Sequence, residues 1–334
     1  MTWPPWISRC NPIPGAGSPV SELLALAGAV EADAPDNGVA AHYGAWAHEQ
    51  RRLEAGSGFV DLSNRDVVAV SGPDRLTWLH ALTSQDFESL DPGQPTEALI
   101  LSPQGHVEFA FSAVDDGETV LLHTEPRAGA GLAEFLERMR FMSRVDVAQR
   151  SDLAVVGLPG LATAVIPRSE LSDQPARRGE PSGLWAWEAL RIAAGIPRIG
   201  RDTDHRTIPN EIGLLGRAVD LDKGCYRGQE TVARVHNLGR PPRRLVLLHL
   251  DGSADRLPAE GSPVSLVGGQ EGASVGFVGT SARHHQLGPI ALALVKRNSD
   301  PDAALVVDDI AASQELIVDP EIGLHVRPSL GHRA

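Results

Sequence analysis

The alternation of apolar and polar positions predicts several β-strands in the first half of the chain. Asp66–Ser71 is an apolar run that leads into a Gly-Pro turn, which is typical of a strand. Three more strands, joined by tight turns, are predicted in Thr96–Glu125. Because successive side chains of a strand point to opposite faces, Val107 and Phe111 share one face and Glu108 lies on the other. We therefore expect Glu108 to point away from the phenylalanines.

Apolar residues spaced three or four positions apart predict helices between these strands. One helix is predicted to end near Gly56, and another is predicted over Leu184–Pro197, where Gly195 is a stop signal. Two apolar stripes predict further helices that pack on the core: Leu76, Leu79 and Leu82, and Leu132, Phe135, Leu136 and Met139. Strands with helices on one side predict an α+β fold. The sequence has no G-x-G-x-x-G or Walker loop that would indicate a nucleotide fold.

The chain changes character after residue 240, where the pattern predicts a small barrel or sandwich. Short β-rich runs alternate there with turn-forming Gly, Asp and Pro residues. The acidic tail after Lys296 is expected to be partly loose, and the polar Pro167–Gly183 is expected to be a surface loop. The predicted organisation is a flexible lead-in over 1–40, α+β modules over 41–150 and 151–240, and a C-terminal β-barrel over 241–330.

Composition limits the classes of partner and compartment. The 334 residues include 30 basic and 43 acidic side chains, a formal charge of −13, which argues against nucleic acid and anionic membranes as partners. The two cysteines are Cys10, in the lead-in, and Cys225, and no Cys/His cluster has zinc spacing. Neither a disulfide framework nor a metal site is predicted. Since Leu23–Ala32 is only a weak match to a signal peptide, a cytoplasmic location is expected.

Cys225 lies in the glycine-bracketed segment DKGCYRGQE, Asp222–Glu230. From Gln229 onward the pattern predicts a helix that ends at Gly239, which puts Cys225 in a loop just before a helix N-terminus. A helix N-terminus and neighbouring cations favour the thiolate, which is a nucleophile and a soft metal ligand. The alternative interpretation is an inert, buried cysteine, since cysteine is among the most buried residue types.

The motif KGCYRGQE resembles the signature of the YgfZ family, folate-binding proteins of iron–sulfur cluster assembly or repair that are related to the glycine cleavage T-protein, an aminomethyltransferase. The similarity extends over roughly Tyr43 to Arg297 and includes SGPDRLTWLHALTSQD and LGPIALALVKR. The residues of the motif are Lys223, Gly224, Cys225, Tyr226, Gly228, Gln229 and Glu230. The resemblance implies that Cys225 is the functional, catalytic thiol.

The same resemblance implies a three-module, aminomethyltransferase-like ring with a C-terminal β-barrel, and tetrahydrofolate or a related folate as cofactor. The module over 41–150 is then the folate-binding one. A folate needs a carboxylate for its aminopterin edge, apolar surface for its rings and cations for its glutamate tail. Glu108, in PQGHVEF, matches an acidic residue near the reactive end of the folate, and Arg191 matches a folate-contacting arginine. Iron–sulfur client proteins are the implied partners.

Two departures from the aminomethyltransferase pattern favour the maturation-factor branch. No Tyr-x-Gly-Glu-type loop occurs between Val155 and Leu184, and Cys225 replaces the acidic residue that usually follows Lys-Gly in those enzymes. We therefore expect an accessory protein rather than an enzyme. Two alternatives remain: a tetrahydrofolate-dependent aminomethyl or one-carbon transferase, and a non-catalytic folate-binding regulatory protein.

Overall fold

The computed structural model describes residues 20–270 and 273–324, which group into two compact units. The first unit comprises the residues up to 79 together with 87–97 and 111–191. The second comprises 80–86, 98–110 and the residues from 192 onward. Cys10 and the first 19 residues of the predicted lead-in lie outside the described residues. The module boundaries expected from the sequence stay predictions.

The first unit contains short helices and short strands, and its elements are numbered here in chain order. Its helices are α1 (Trp46–Glu54), α2 (Arg75–Leu82), α3 (Gly129–Met139), α4 (Gln174–Arg178) and α5 (Leu184–Ala193). The strands are β1 (Val30–Glu31), β2 (Ala40–His42), β3 (Phe59–Asp61), β4 (Asp66–Ser71), β5 (Pro95–Leu101), β6 (Val107–Asp115), β7 (Thr119–Thr124), β8 (Asp146–Gln149), β9 (Leu153–Gly157), β10 (Thr163–Pro167) and β11 (Pro181–Ser182). Short 3-10 helices cover Glu22–Ala25, Pro159–Leu161 and Arg168–Asp173. The elements α2, α5, β5 and β6 contribute residues to both units.

One sheet of the first unit has the strands that the alternation pattern predicts. Strands β6, β7, β4 and β8 are neighbours in that order, and Val68 of β4 is aligned with Leu122 of β7. Both side chains are fully buried, as are Leu132 and Leu136 of α3, which packs on β4. Met139, predicted on the same face, is 40% exposed because it is the last residue of α3. That part of the helix prediction is wrong.

A second sheet of the first unit has the strand order β10-β9-β3-β11. Leu184 and Trp187 of α5 share a buried cluster with Val60 of β3 and Val155 of β9. The predicted helix over Leu184–Pro197 is confirmed, although it ends at Ala193.

The polar segment Pro167–Gly183 is not the surface loop that its composition predicts. It forms the 3-10 helix Arg168–Asp173, followed by α4 and β11. Leu171 packs in a buried cluster with Phe59 and Val156. Leu171 and the pairing of β11 with β3 therefore hold this polar stretch against the sheet.

The second unit contains α6 (Gln229–Leu238) and a closed barrel, which confirms the C-terminal β-barrel expected from the sequence. The barrel strands are β12 (Arg243–Leu250), β13 (Pro263–Leu266), β14 (Ser274–His284), β15 (Gly288–Lys296), β16 (Leu305–Val307) and β17 (Ile310–Leu316). They close in the order β12-β15-β14-β13-β16-β17. Two 3-10 helices, Pro209–Glu211 and Gly252–Ala254, complete the unit. In the described part of the chain, no helix has the length and apolar character needed to cross a bilayer.

The acidic tail after Lys296 supplies the last two strands of the barrel, so its described part, up to residue 324, is not loose, and residues 325–334 lie outside the described residues. It supplies β16 and β17, and Val307 is paired with Ile310 across the turn that joins them. Asp308 and Asp309, the two turn residues, have φ angles of 47° and 61°. Aspartate tolerates this left-handed region better than most residues, so these acidic residues form a tight turn.

Candidate functional site

The cysteine motif forms a loop that leads into α6, as the sequence predicts. Gly228 is the N-cap of α6 with a φ angle of 82°, and Gln229 begins the first turn. Along the loop, Lys223 and Tyr226 are buried whereas Cys225 is exposed. Cys225 is therefore not a buried packing residue, and its chemical role stays a prediction.

Lys223 fixes the start of the loop through a group of backbone carbonyls. Its Nζ donates hydrogen bonds to the carbonyl oxygens of Thr83 at 2.7 Å and Gln85 at 3.1 Å, and also to that of His80. These carbonyls lie at the end of α2 and just after it, where helix carbonyls have no intrahelical donor. The ring of Tyr226 lies 5.3 Å from Nζ, which is within the range of a cation–π interaction.

Gly228 fixes the other end of the loop because only a glycine fits there. A Cβ atom on this residue would lie 2.5 Å from the carbonyl oxygen of Ser102 and 3.0 Å from Cα of Gly105. Gly105 is similarly close to α6, since a Cβ there would lie 2.8 Å from Cβ of Thr231. The turn between β5 and β6 and the start of α6 are therefore in direct backbone contact.

Glu108 lies two residues into β6, next to this contact, and faces the motif loop. Its Oε2 accepts a 3.0 Å hydrogen bond from Nη1 of Arg227. The side chains are only partly accessible, with 18% of Glu108 and 34% of Arg227 exposed. Strand β6 is held in place here by Val107, whose N–H donates to the carbonyl oxygen of Thr207 at 2.9 Å. The structure thus brings the predicted ligand carboxylate and the cysteine loop together within the second unit.

Two titratable side chains close to these groups are uncharged near neutral pH. Burial, and after it the charge of Asp220, raises the pKa of Tyr226 to about 12. Burial lowers the pKa of His106, and the positive charges of Arg206 and His205 lower it further. The charge of the site is therefore set by the Glu108 carboxylate and by the cations Lys223 and Arg227.

The pairing of Arg227 with Glu108 is the feature of this site that sequence reasoning missed, although Arg227 was expected to be one of the cations near Cys225. This arginine lies inside the quoted motif, but its partner Glu108 is 119 residues away in sequence, and spacing rules do not reach that far. The available signal was chemical. A cation beside the cysteine and a strand carboxylate turned away from the apolar face both need a partner when they are partly buried.

Arg191, the other predicted ligand residue, lies in α5 and belongs to the first unit. Only 3% of its side chain is exposed. Its Nε donates to Oε1 of Glu188 at 3.0 Å and its Nη2 donates to Oε2 of the same carboxylate. The guanidinium is therefore engaged by a neighbour on its own helix, and its contact with a folate stays a prediction.

The remaining motif side chains make few close contacts. The amide of Gln229 lies 3.5 Å from the carbonyl oxygen of Lys223, and Glu230 is exposed in the first turn of α6. Across residues 20–270 and 273–324, Cys225 belongs to no cluster of three or more side chains able to hold a metal ion. Iron–sulfur clusters normally take four protein ligands.

Comparison with known proteins identifies homologues along most of the chain. No family model matches it. It is 26% identical to a putative chloroplastic transferase of Arabidopsis thaliana over 69% of this chain, and the match spans 64% of that protein. It is 25% identical to the tRNA-modifying protein YgfZ of Serratia proteamaculans, covering 76% of this chain and 89% of that protein. The mitochondrial iron-sulfur cluster assembly factor IBA57 homolog of Aspergillus clavatus is also 25% identical, with 75% and 72% covered.

The solved structures include a neighbour with the same fold. The glycine cleavage system aminomethyltransferase T of Bartonella henselae superposes with a TM-score of 0.75 at 18% identity, covering 90% of this chain and 97% of that one. This confirms the aminomethyltransferase-like α+β fold. Two of the relatives are named for organelles, so the cytoplasmic location of this chain stays a prediction. The resemblance carried by KGCYRGQE is confirmed, and the chain is a homologue of the YgfZ and IBA57 proteins built on the fold of aminomethyltransferase T.

Proposed function

We infer that this chain is a folate-binding accessory protein that helps to assemble or repair iron–sulfur clusters in client enzymes. The observation that carries the proposal is the exposed thiol of Cys225, on a loop fixed by Lys223 on one side and Gly228 on the other. The names of two relatives, an iron-sulfur cluster assembly factor and a YgfZ protein, support it.

The chemistry proposed for Cys225 is transient and shared with a client. A thiolate is a good nucleophile and a soft ligand, and an exposed one is open to a partner protein. One thiolate does not hold a cluster by itself, so the client or a second factor supplies the other ligands. The role of this chain is then to present one sulfur atom in a fixed position.

Tetrahydrofolate is the cofactor proposed for the same unit, and Glu108 fits it. A half-buried carboxylate is a suitable acceptor for the planar N–H donors of an aminopterin edge. When bound, the folate would supply one-carbon chemistry, and Glu108 would bind and orient its ring. A contact between Arg191 and a folate stays a prediction, since the guanidinium is already paired with Glu188.

A second candidate is a tetrahydrofolate-dependent aminomethyl or one-carbon transferase, which is favoured by the fold shared with aminomethyltransferase T and by the position of Glu108 on β6. Such an enzyme would need no thiol. A purely regulatory folate-binding protein would need neither the thiol nor turnover. The effect of replacing Cys225 therefore distinguishes the three functions.

The test is Cys225→Ser, with Cys10→Ser as the matched control for loss of a thiol. Each variant is expressed in a bacterium whose own YgfZ homologue has been deleted, and the activity of a [4Fe–4S] enzyme is measured in the extract. We expect Cys225→Ser to fail to restore that activity while the purified variant still binds tetrahydrofolate, and Cys10→Ser to restore it. Full restoration by Cys225→Ser would contradict the proposal. Transferase turnover by that variant would favour the second candidate.

A further inference from the structure

The ion pair of Arg227 and Glu108 connects the two groups on which the proposed function rests. Glu108 is the carboxylate proposed to bind the pterin, and Arg227 follows Cys225 by two positions in the loop. The hydrogen bond between them is 3.0 Å long, and both side chains are more than half buried. A charge-assisted contact therefore joins the proposed ligand carboxylate to the loop that carries the thiol.

The guanidinium of Arg227 and an aminopterin edge are similar partners for a carboxylate. Each presents planar N–H groups, and each binds a carboxylate most strongly through two parallel hydrogen bonds. With 18% of its side chain exposed, Glu108 has limited room to accept both partners at full strength. A pterin that binds Glu108 therefore competes with Arg227.

This competition changes the charge around Cys225. Two residues span at most about 7 Å of backbone, which is less than the Debye length of about 8 Å at physiological ionic strength. While Arg227 is paired with Glu108, their charges cancel near the loop. A neutral pterin edge leaves the charge of Glu108 unchanged, but it displaces the guanidinium from the carboxylate and so separates the two charges. A cation that is no longer held against a carboxylate favours a neighbouring thiolate more strongly.

We propose that Arg227 is a positioning residue that couples ligand binding at Glu108 to the reactivity of Cys225. The proposal rests on the proposed function in naming tetrahydrofolate as the ligand. The loop itself stays anchored at Lys223 and Gly228 throughout, so the coupling is electrostatic and needs no large movement of the backbone.

The first test measures the rate at which iodoacetamide alkylates Cys225 in the ligand-free protein, in a Cys10→Ser background. Glu108→Gln leaves the positive charge beside the loop, and we expect alkylation about fivefold faster. Arg227→Met leaves the negative charge, and we expect alkylation about fivefold slower. Arg227→Lys keeps the charge and should remain near the rate of the parent protein.

The second test measures tetrahydrofolate binding by titration calorimetry. Arg227→Met removes the competitor for Glu108, so we expect it to bind tetrahydrofolate about fivefold more tightly than the parent protein. Glu108→Gln should bind it more weakly. Arg150→Met removes an exposed ion pair with Asp152 in the first unit, and it is the control that should change neither binding nor alkylation.

The outcomes separate this proposal from the proposed function. If Glu108→Gln and Arg227→Met both speed alkylation, the pair only stiffens the loop and the coupling is overturned. Weaker tetrahydrofolate binding by Arg227→Met would also overturn it, because Arg227 would then contact the ligand itself. If the parent protein binds no tetrahydrofolate, the proposed function fails, and the two alkylation rates still decide whether the charges are coupled.

Discussion

The ammonium group of Lys223 donates a 2.7 Å hydrogen bond to the carbonyl oxygen of Thr83, 140 residues earlier in the chain. This contact ties the cysteine loop to the segment that follows α2. The N–H of Asp220 adds a 2.9 Å hydrogen bond to the carbonyl oxygen of Ser84. The position of Cys225 therefore depends on residues 80–86 as much as on its own loop.

Lys223→Met should destabilise the second unit and loosen the cysteine loop. Methionine has a similar length but cannot donate, so the hydrogen bonds to Thr83, Gln85 and His80 are lost. We expect the free energy of unfolding to fall by about 3 kcal/mol in urea denaturation. Lys296→Met, which removes one hydrogen bond from an exposed lysine, is the control and should change it by less than about 0.5 kcal/mol. Equal effects of the two substitutions would rule out the anchoring role.

Gly228→Ala should lower the free energy of unfolding much more than alanine at another glycine of similar conformation. Gly228 and Gly261 have φ angles of 82° and 85°, but a Cβ on Gly261 would meet nothing within 4 Å. The left-handed conformation costs an alanine about 1 kcal/mol at either site. Overpacking against Ser102 adds about 2 kcal/mol at position 228 only. Thermal and urea unfolding of the two variants measure this difference.

Arg243 joins the barrel to the segment before the motif, and Arg243→Met should destabilise the second unit. Its guanidinium binds Asp204 at 2.6 Å and Glu211 at 2.8 Å, and the Glu211 side chain is fully buried. Without Arg243, that buried carboxylate loses its charge partner, which costs about 3–5 kcal/mol. Arg297→Met, which removes an exposed pair with Glu321, is the comparison and should cost less than about 1 kcal/mol. A small effect of Arg243→Met in urea denaturation would contradict this account.

His123 should make the first unit less stable as the pH falls below about 6.5, the ordinary value for histidine. Burial, and after it the charge of Arg65, lowers the pKa of His123 to about 3. Between these two values the unfolded chain takes up a proton that the folded protein does not, so folding loses about 1.4 kcal/mol per pH unit. His123→Gln can keep the hydrogen bond to Thr163 and should flatten the dependence between pH 7 and pH 5. His48→Gln, at an exposed position, is the comparison for removing an imidazole.

The sequence was sufficient for the elements whose apolar pattern is strong. Strand β4 has the predicted bounds, and α6 begins at Gln229 and stops before Gly239 as expected. The loop that carries Cys225 follows from these two signals, because glycine and helix propensity are local properties. The barrel could also be predicted from local signals, namely short β-rich runs separated by turn-forming Gly, Asp and Pro residues.

The contacts that build the site could not be predicted in the same way. Arg227 meets Glu108, and Lys223 meets Thr83, across 119 and 140 residues, so both pairs depend on how distant strands and helices pack. Where the local reading was wrong, packing or turn geometry had overridden composition. Leu171 packs in a buried cluster and so draws a polar segment against the core. The aspartates of the β16–β17 turn make the tail acidic, but they are there because aspartate tolerates the positive φ angles of that turn.

A crystal structure of the protein with bound tetrahydrofolate tests the central claim most directly. We expect the aminopterin edge to lie within hydrogen-bond distance of the Glu108 carboxylate, with Arg227 displaced from it and Cys225 still exposed. A folate bound elsewhere in the molecule, or an intact contact between Arg227 and Glu108 beside the bound ligand, would contradict the account.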